Sequence, residues 1–305
     1  MIVWTTDPVA FELFSRQIRY YGLLYVVAIW GGYQFWQWQV MRSGRTQEQA
    51  ERFMGMGVAA VIVGARIGHC LFYHPKYYLA QPWRIVEVWK GGLASHGATV
   101  TLLLILAYYA KTEGMKIREV FDRVACAIAW GASIIRLGNL MNSEVVGRPW
   151  GGALSFKFPI FDRAQLRACV PAEGTPDCVA IPYLTEHPRL LPGGFDLSKG
   201  GFDISLVPTR HPSQIYEFLM GIVILAILLL VDRKFKEERP LGLLGGLFLF
   251  LYFSARFTVE FFKDYQADGI SEGLTMGQYL SFPFMAIGLG LILRALQRGT
   301  GAQAS

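Results

Sequence analysis

Arg136, Asn139, Asn142, Glu144 and Arg148 follow one another from the last residues of the apolar run Val124 to Leu137 onward. An arginine at the end of a bilayer-length segment is costly unless an anion meets it or its stem reaches the headgroup layer. Its guanidinium is a planar fork of donors that suits a phosphate. Asn139 and Asn142 add neutral donors and acceptors, and Glu144 can hold an arginine or take up a proton. Gly138 and Gly147 allow backbone turns that a side chain blocks. The competing account is a loop-closing network at a helix end, in which Arg136 pairs with Glu144.

A second arginine, Arg256, lies deep in another apolar run, Leu241 to Phe262. Glu260 stands four residues on and shares its helix face, so an intrahelical ion pair is the plainer explanation. It does not explain why a membrane helix carries such a pair. His96 opens a third apolar run, between the small residues of Gly91-Gly-Leu-Ala-Ser-His96-Gly-Ala98. Imidazole is the side chain best suited to moving protons near neutral pH. A lone histidine is more commonly buried against a carbonyl, but small neighbours leave room for a ligand. Three chargeable groups in three hydrophobic segments point to one polar cavity at membrane depth. Its expected content is a lipid phosphate and chemistry on it.

Seven membrane-length segments position these groups: Ile18 to Val40, Phe53 to Tyr73, Leu93 to Ala110, Phe121 to Leu137, Ser213 to Val231, Leu241 to Phe262 and Leu274 to Leu293. Each is near the ~20 residues that span the hydrocarbon core as a helix. The composition agrees. Of the 305 residues 53% are hydrophobic and 17% charged, against about 25% charged in a soluble domain. Many of the 8 Trp lie near the ends of apolar runs, as in an interfacial belt. The net charge of +6 collects between segments, so topology explains it better than nucleic acid. Arg42, Arg45, Arg52, Lys111, Lys116, Arg118, Arg233, Lys234, Lys236, Arg239, Arg294 and Arg298 fall on one side, and Arg16, Arg19, Lys76, Arg84, Lys90 and Lys263 on the other. The N-terminus is expected outside and the C-terminus in the cytoplasm.

The expected organisation is an all-α integral membrane protein with seven transmembrane helices. Residues 1–138 form a first membrane half and 139–210 an external polar head segment rich in Gly and Pro. Residues 211–294 form a second membrane half and 295–305 a cytoplasmic tail. Connections as long as the head segment usually carry function or a fold of their own. Asp7 and Glu12 replace a basic n-region, so the first segment is expected to stay in the protein. Cys70 and Cys126 read as packing residues within apolar segments. Cys169 and Cys178, in the polar loop, are placed to pair if that loop faces an oxidising compartment. No cysteine–histidine zinc spacing and no nucleic-acid motif is present.

Several stretches together resemble the prolipoprotein diacylglyceryl transferase family. Arg136 to Gly147 looks like that family's signature loop. Tyr21-Gly22, Ser95-His96-Gly97, His211-Pro-Ser-Gln-Ile-Tyr-Glu217, Arg256 to Asp264 and Thr275-Met-Gly-Gln278 match in order and at compatible spacing. The resemblance runs from Arg19 to about Pro283 and leaves out Ala153 to Val207. It implies transfer of the diacylglyceryl group of phosphatidylglycerol to the thiol of a lipobox cysteine in a prolipoprotein signal peptide. The expected setting is the bacterial inner membrane, without metal, cofactor or nucleic acid, among membrane lipids. It makes Arg136 and Arg256 the key arginines and puts His96 at a functional position; the chemistry then leads us to expect that the arginines grip the phosphate and that His96 accepts the thiol proton. Tyr21, Asn139, Asn142, Glu144, Gly147, Glu260 and Lys263 become substrate-binding or positioning residues. Four positions depart from the family pattern: Leu140 for phenylalanine, Trp150 for threonine, Ala98 for glycine and Lys263 for arginine. The lysine keeps the charge but loses the fork.

A seven-helix transporter or receptor for an anionic lipid or solute is the other class. A retinal receptor needs a lysine in the last helix, and Leu274 to Leu293 has none. Repeat symmetry, common in transporters, is not visible. Metal-dependent phosphatidyl transferases need an aspartate cluster that is absent. Ser95 beside His96 lacks a glycine-flanked nucleophile elbow.

Overall fold

The computed structural model describes residues 1–87, 92, 94–162, 207–264 and 273–301. The chain is mostly helical. Long helices are α1 (Tyr20–Met41), α2 (Gln47–Phe72), α4 (Ser95–Thr112), α5 (Ile117–Met141), α6 (Ser213–Phe235), α7 (Leu243–Glu260) and α8 (Met276–Gly301), with a short α3 (Pro75–Ala80). Each long helix coincides with one expected apolar segment. Among the described residues, α2, α5, α6, α7 and α8 are long and apolar enough to cross a membrane. The other two are not in that group. α1 carries Gln34, Gln37 and Gln39 among its tryptophans and tyrosines, and α4 begins with the polar Ser-His and ends with Lys-Thr.

Small strands were not anticipated. β1 (Ile2–Val3) pairs in parallel with β4 (Phe156–Lys157), which pairs antiparallel with β5 (Thr209–Arg210). β2 (Val9–Leu13) and β3 (Arg16–Arg19) form a hairpin ahead of α1. Its two turn residues, Phe14 and Ser15, are left-handed with φ of 47° and 61°, as a tight two-residue hairpin requires. Neither is glycine, so the usual sequence signal for this turn is missing. Cys169 and Cys178, and most of the expected head segment, lie outside the described residues.

Contacts divide the chain into two compact units. The first comprises Met1–Ile29, Trp130–Val223 and Tyr252–Pro283, and the second Trp30–Ala129, Ile224–Leu251 and Phe284–Ser305.

In the second unit α2 and α4 pack backbone to backbone. A Cβ on Gly64 would lie 2.6 Å from Gly97 O, and one on Gly97 2.8 Å from Gly68 Cα. Thr101 Oγ1 donates to Ala60 O at 2.7 Å across the seam. Helices in lipid gain most from such small-residue contacts, because apolar burial drives little there. Trp36, Phe53 and Tyr109 pack nearby in tilted and edge-to-face contacts, with ring centroids 4.4 to 5.4 Å apart. Two carboxylates organise the ends of this unit. Asp122 accepts from the backbone N–H of Gly242 at 2.7 Å and of Gly245 at 2.8 Å, satisfying donors at the start of α7. Buried Asp232 accepts from Arg42 at 2.5 Å and Arg239 at 2.6 Å. Cys70 and Cys126 are buried free thiols.

Candidate functional site

The stretch from Asn139 to Gly147 leaves α5 through a strained backbone. Ser143 and Val145 are both left-handed, with φ of 52° and 56°. For β-branched valine this is an outlier that surrounding contacts must impose. Glu144 N–H donates to Asn139 O at 2.9 Å, and Ser143 N–H to Leu140 O at 3.0 Å. Two side chains from the first turn of α6 hold the loop from the other side. Ser213 Oγ donates to Val145 O at 2.6 Å and Gln214 Nε2 to Glu144 O at 2.7 Å. Gly147 then runs between two backbones. Its N–H donates to His211 O at 3.0 Å, and it bridges Lys263. A Cβ there would meet His211 O and would lie 2.7 Å from Phe262 O, so only glycine fits.

Arg136 projects from the last turns of α5. Its Nη1 lies 3.1 Å from Glu217 Oε2 and 3.5 Å from Asn139 Oδ1, and it also donates to the Tyr252 hydroxyl. The pairing expected with Glu144 is not formed. Glu144 instead accepts from Asn139 Nδ2 at 3.4 Å and Asn142 Nδ2 at 3.2 Å. Local spacing favoured Glu144, but its loop folds onto the carboxamides, whereas α6 carries Glu217 to the arginine. Tyr21 packs on α5 where Gly138 leaves space, since a Cβ there would lie 2.8 Å from its ring.

Glu217 faces a second cation. Its Oε1 lies 2.7 Å from Lys263 Nζ, which also stands 3.6 Å from Glu260 Oε2. Thr275 Oγ1 donates to Glu260 Oε1 at 3.1 Å and, with Gln278, caps α8. Glu260 Oε1 and Arg256 Nη2 both flank Gly277, where a Cβ would lie 2.9 and 3.0 Å from them. The expected intrahelical pair between Arg256 and Glu260 is not made. Among the described residues Arg256 is half-buried and paired with no carboxylate. Lys263 thus faces two carboxylates at once, one on α6 and one at the end of α7.

Around the glycine bridge, Arg210 bonds Asp264 at 2.6 Å, Asp162 at 2.7 Å and Gly147 O at 3.3 Å. Burial pushes the Asp162 carboxyl above its ordinary value, against the pull of Arg210. His211 lies face to face with Trp150 at 4.4 Å, and its Nδ1 is 3.1 Å from the Tyr216 hydroxyl. Burial holds its pKa below the ordinary 6.5. The departure at Trp150 is thus accommodated by stacking, and Gly152 leaves room for the indole.

Tyr21, Arg136, Asn139, Asn142, Glu144, Gly147, Arg256, Glu260 and Lys263 all fall in the first unit, and His96 falls in the second. His96 is exposed, not buried against a carbonyl. Its Nε2 lies 3.1 Å from the Tyr73 hydroxyl, and its ring stacks on that tyrosine at 6.0 Å. Sequence reasoning passed over Glu217, Tyr252 and Arg210 as site residues. A carboxylate in the first turns of an otherwise apolar α6 was the available signal for Glu217. Among the described residues no group of three His, Cys, Asp or Glu is placed to hold a metal.

The family model described as prolipoprotein diacylglyceryl transferase matches residues 8–294. The chain belongs to this family. Three relatives are each named phosphatidylglycerol–prolipoprotein diacylglyceryl transferase. That of Chloroherpeton thalassium is 32% identical over 97% of this chain and 95% of its own length. The Porphyromonas gingivalis protein is 35% identical over 97% and 95%. The Cronobacter sakazakii protein is 34% identical over 98% and 96%. The family match covers both arginines, the strained loop and His96.

Proposed function

We propose that this protein transfers the diacylglyceryl group of phosphatidylglycerol to the lipobox cysteine thiol of a prolipoprotein, the first step of lipoprotein maturation. Family membership supports the activity, as do relatives that bear this name over nearly their whole length. The observation that carries the site reading is the unequal treatment of two arginines. Arg136 is fixed by Glu217, whereas among the described residues Arg256 is paired with no carboxylate. An uncompensated guanidinium at membrane depth favours an anionic ligand.

In the proposed reaction the thiolate sulfur attacks the glyceryl carbon bonded to the phosphate oxygen. That C–O bond breaks, its electron pair leaves with glycerol phosphate, and a thioether forms. Arg256 and Arg136 stabilise the charge gathering on the phosphate. The thiol, with an ordinary pKa near 8.5, gives its proton to His96. Asn139, Asn142 and Tyr21 orient the headgroup. Glu144 sets the carboxamides, while Glu217, Glu260 and Lys263 position the arginines. The seven long helices all cross the bacterial inner membrane, with the N-terminus outside and the C-terminus in the cytoplasm.

Purified protein incubated with phosphatidylglycerol and a lipobox peptide tests this reading. The peptide should gain one diacylglyceryl group, with an equal amount of glycerol phosphate released. Binding of the lipid without either product would instead place the chain with transporters or receptors.

A further inference from the structure

The C-terminal ends of α1 and α6 border a shallow, open and mostly apolar depression of about 420 Å³, flanked by Trp38, Arg42, Leu229, Asp232, Arg233 and Lys236. Its charges are unequally committed. Arg42 bonds Asp232 at 2.5 Å, pairs with Glu237 at 3.3 Å and lies 4.7 Å over the Trp38 ring. Asp232 is shared between Arg42 and Arg239. Arg233 and Lys236 are exposed, and among the described residues neither is paired with a carboxylate. Two uncommitted cations therefore stand beside an apolar wall of Trp38 and Leu229.

A second observation concerns the backbone. Lys236 is left-handed, with φ of 50°. This conformation is costly for any residue with a Cβ, and glycine would adopt it freely. It sits where α6 ends and places a lysine at the edge of the depression. Strain kept at a non-glycine position is a reason to look for a ligand there.

Basic pockets between membrane helices on the cytoplasmic side suit anionic lipid headgroups. We propose that this depression binds an anionic phospholipid of the cytoplasmic leaflet. Its phosphate lies on Arg233 and Lys236, and the start of its acyl chains lies on Trp38 and Leu229. None of these residues belongs to the arginine site. The leaflet rests on the topology proposed above, whereas binding itself does not.

The test uses the full-length protein in phosphatidylcholine nanodiscs doped with phosphatidic acid carrying dibrominated acyl chains. The signal is quenching of Trp38, taken as the difference from Trp38→Phe. Quenching should saturate with the anionic lipid and stay flat with dibrominated phosphatidylcholine. Arg233→Gln combined with Lys236→Gly should raise the half-saturating lipid fraction about 25-fold, at about fivefold for each cation removed near a charged surface. Glycine suits the left-handed backbone, so the variant's thermal midpoint should not fall. Equal quenching by the neutral lipid, or an unchanged half-saturation in the double variant, overturns the proposal. Displacement of the lipid by tens of millimolar inorganic phosphate would also overturn it, in favour of a soluble-phosphate site. Turnover with phosphatidylglycerol is measured on the same samples and should be unchanged in the double variant. Absence of turnover in the unaltered protein would sink the transferase reading without altering the quenching result.

Discussion

Lys263 Nζ lies 2.7 Å from Glu217 Oε1, and the other oxygen of that carboxylate meets Arg136 at 3.1 Å. One carboxylate on α6 thus links the end of α5 to the residues just after α7. Both Lys263 and Glu217 side chains are only 10% exposed, so neither charge is well served by solvent.

Glu217→Gln should therefore damage stability as well as rate. Removing one partner of a buried ion pair strands the other at a cost of about 3–5 kcal/mol. The thermal midpoint in detergent should fall, and adding Lys263→Gln should recover part of the loss. If both midpoint and turnover matched the unaltered protein, Glu217 would not organise the site.

The two arginines should separate in their effects. Arg256→Ala should cost about 10²–10³-fold in rate, the scale of losing a group that stabilises developing charge, with little change in thermal midpoint. Arg136→Ala should lose both, because it leaves Glu217 half-paired. Lysine at either site should recover little, since the fork is gone. Near-normal turnover in Arg256→Ala would remove it from phosphate binding.

His96→Gln tests the thiol base. Loss of a general base costs ~10²–10⁴-fold. The residual rate should climb with pH as thiolate forms in solution, with phosphatidylglycerol affinity intact. Affinity falling in step with rate, at an unchanged pH profile, would make His96 a headgroup ligand instead.

Gly147→Ala and Gly151→Ala form a matched pair. At Gly147 a Cβ would press on two backbone carbonyls, whereas at Gly151 nothing lies within 4 Å. Overpacking of this kind costs typically about 1–3 kcal/mol, so only Gly147→Ala should lower the thermal midpoint. Equal midpoints would mean that the loop yields easily.

Topology is open to reporters. A fusion after Ser305 should behave as cytoplasmic, and an insertion near Gly193 as external. The reverse pattern would sink the charge-based orientation.

The long helices were legible because apolar runs of membrane length leave few alternatives. The strands were not. β1 and β4 are two residues each and pair across more than 150 positions, leaving no periodicity to read. Site residues followed the same divide. Arg136 and Arg256 announced themselves as charges in apolar runs, but their surroundings did not. Glu144 and Glu260 were the nearest carboxylates in sequence, and local spacing cannot see that α6 brings Glu217 to Arg136 while Arg256, among the described residues, meets no carboxylate.

Asp122 gives the chain a timetable. Its backbone partner Gly242 lies 120 residues further on, and at roughly 5–20 residues/s the ribosome needs roughly 6 to 24 s to deliver it. For that interval Asp122, on a helix long and apolar enough to cross a membrane, lacks the N–H groups of Gly242 and Gly245. The bond closes only when α7 arrives, so late synthesis completes an early helix.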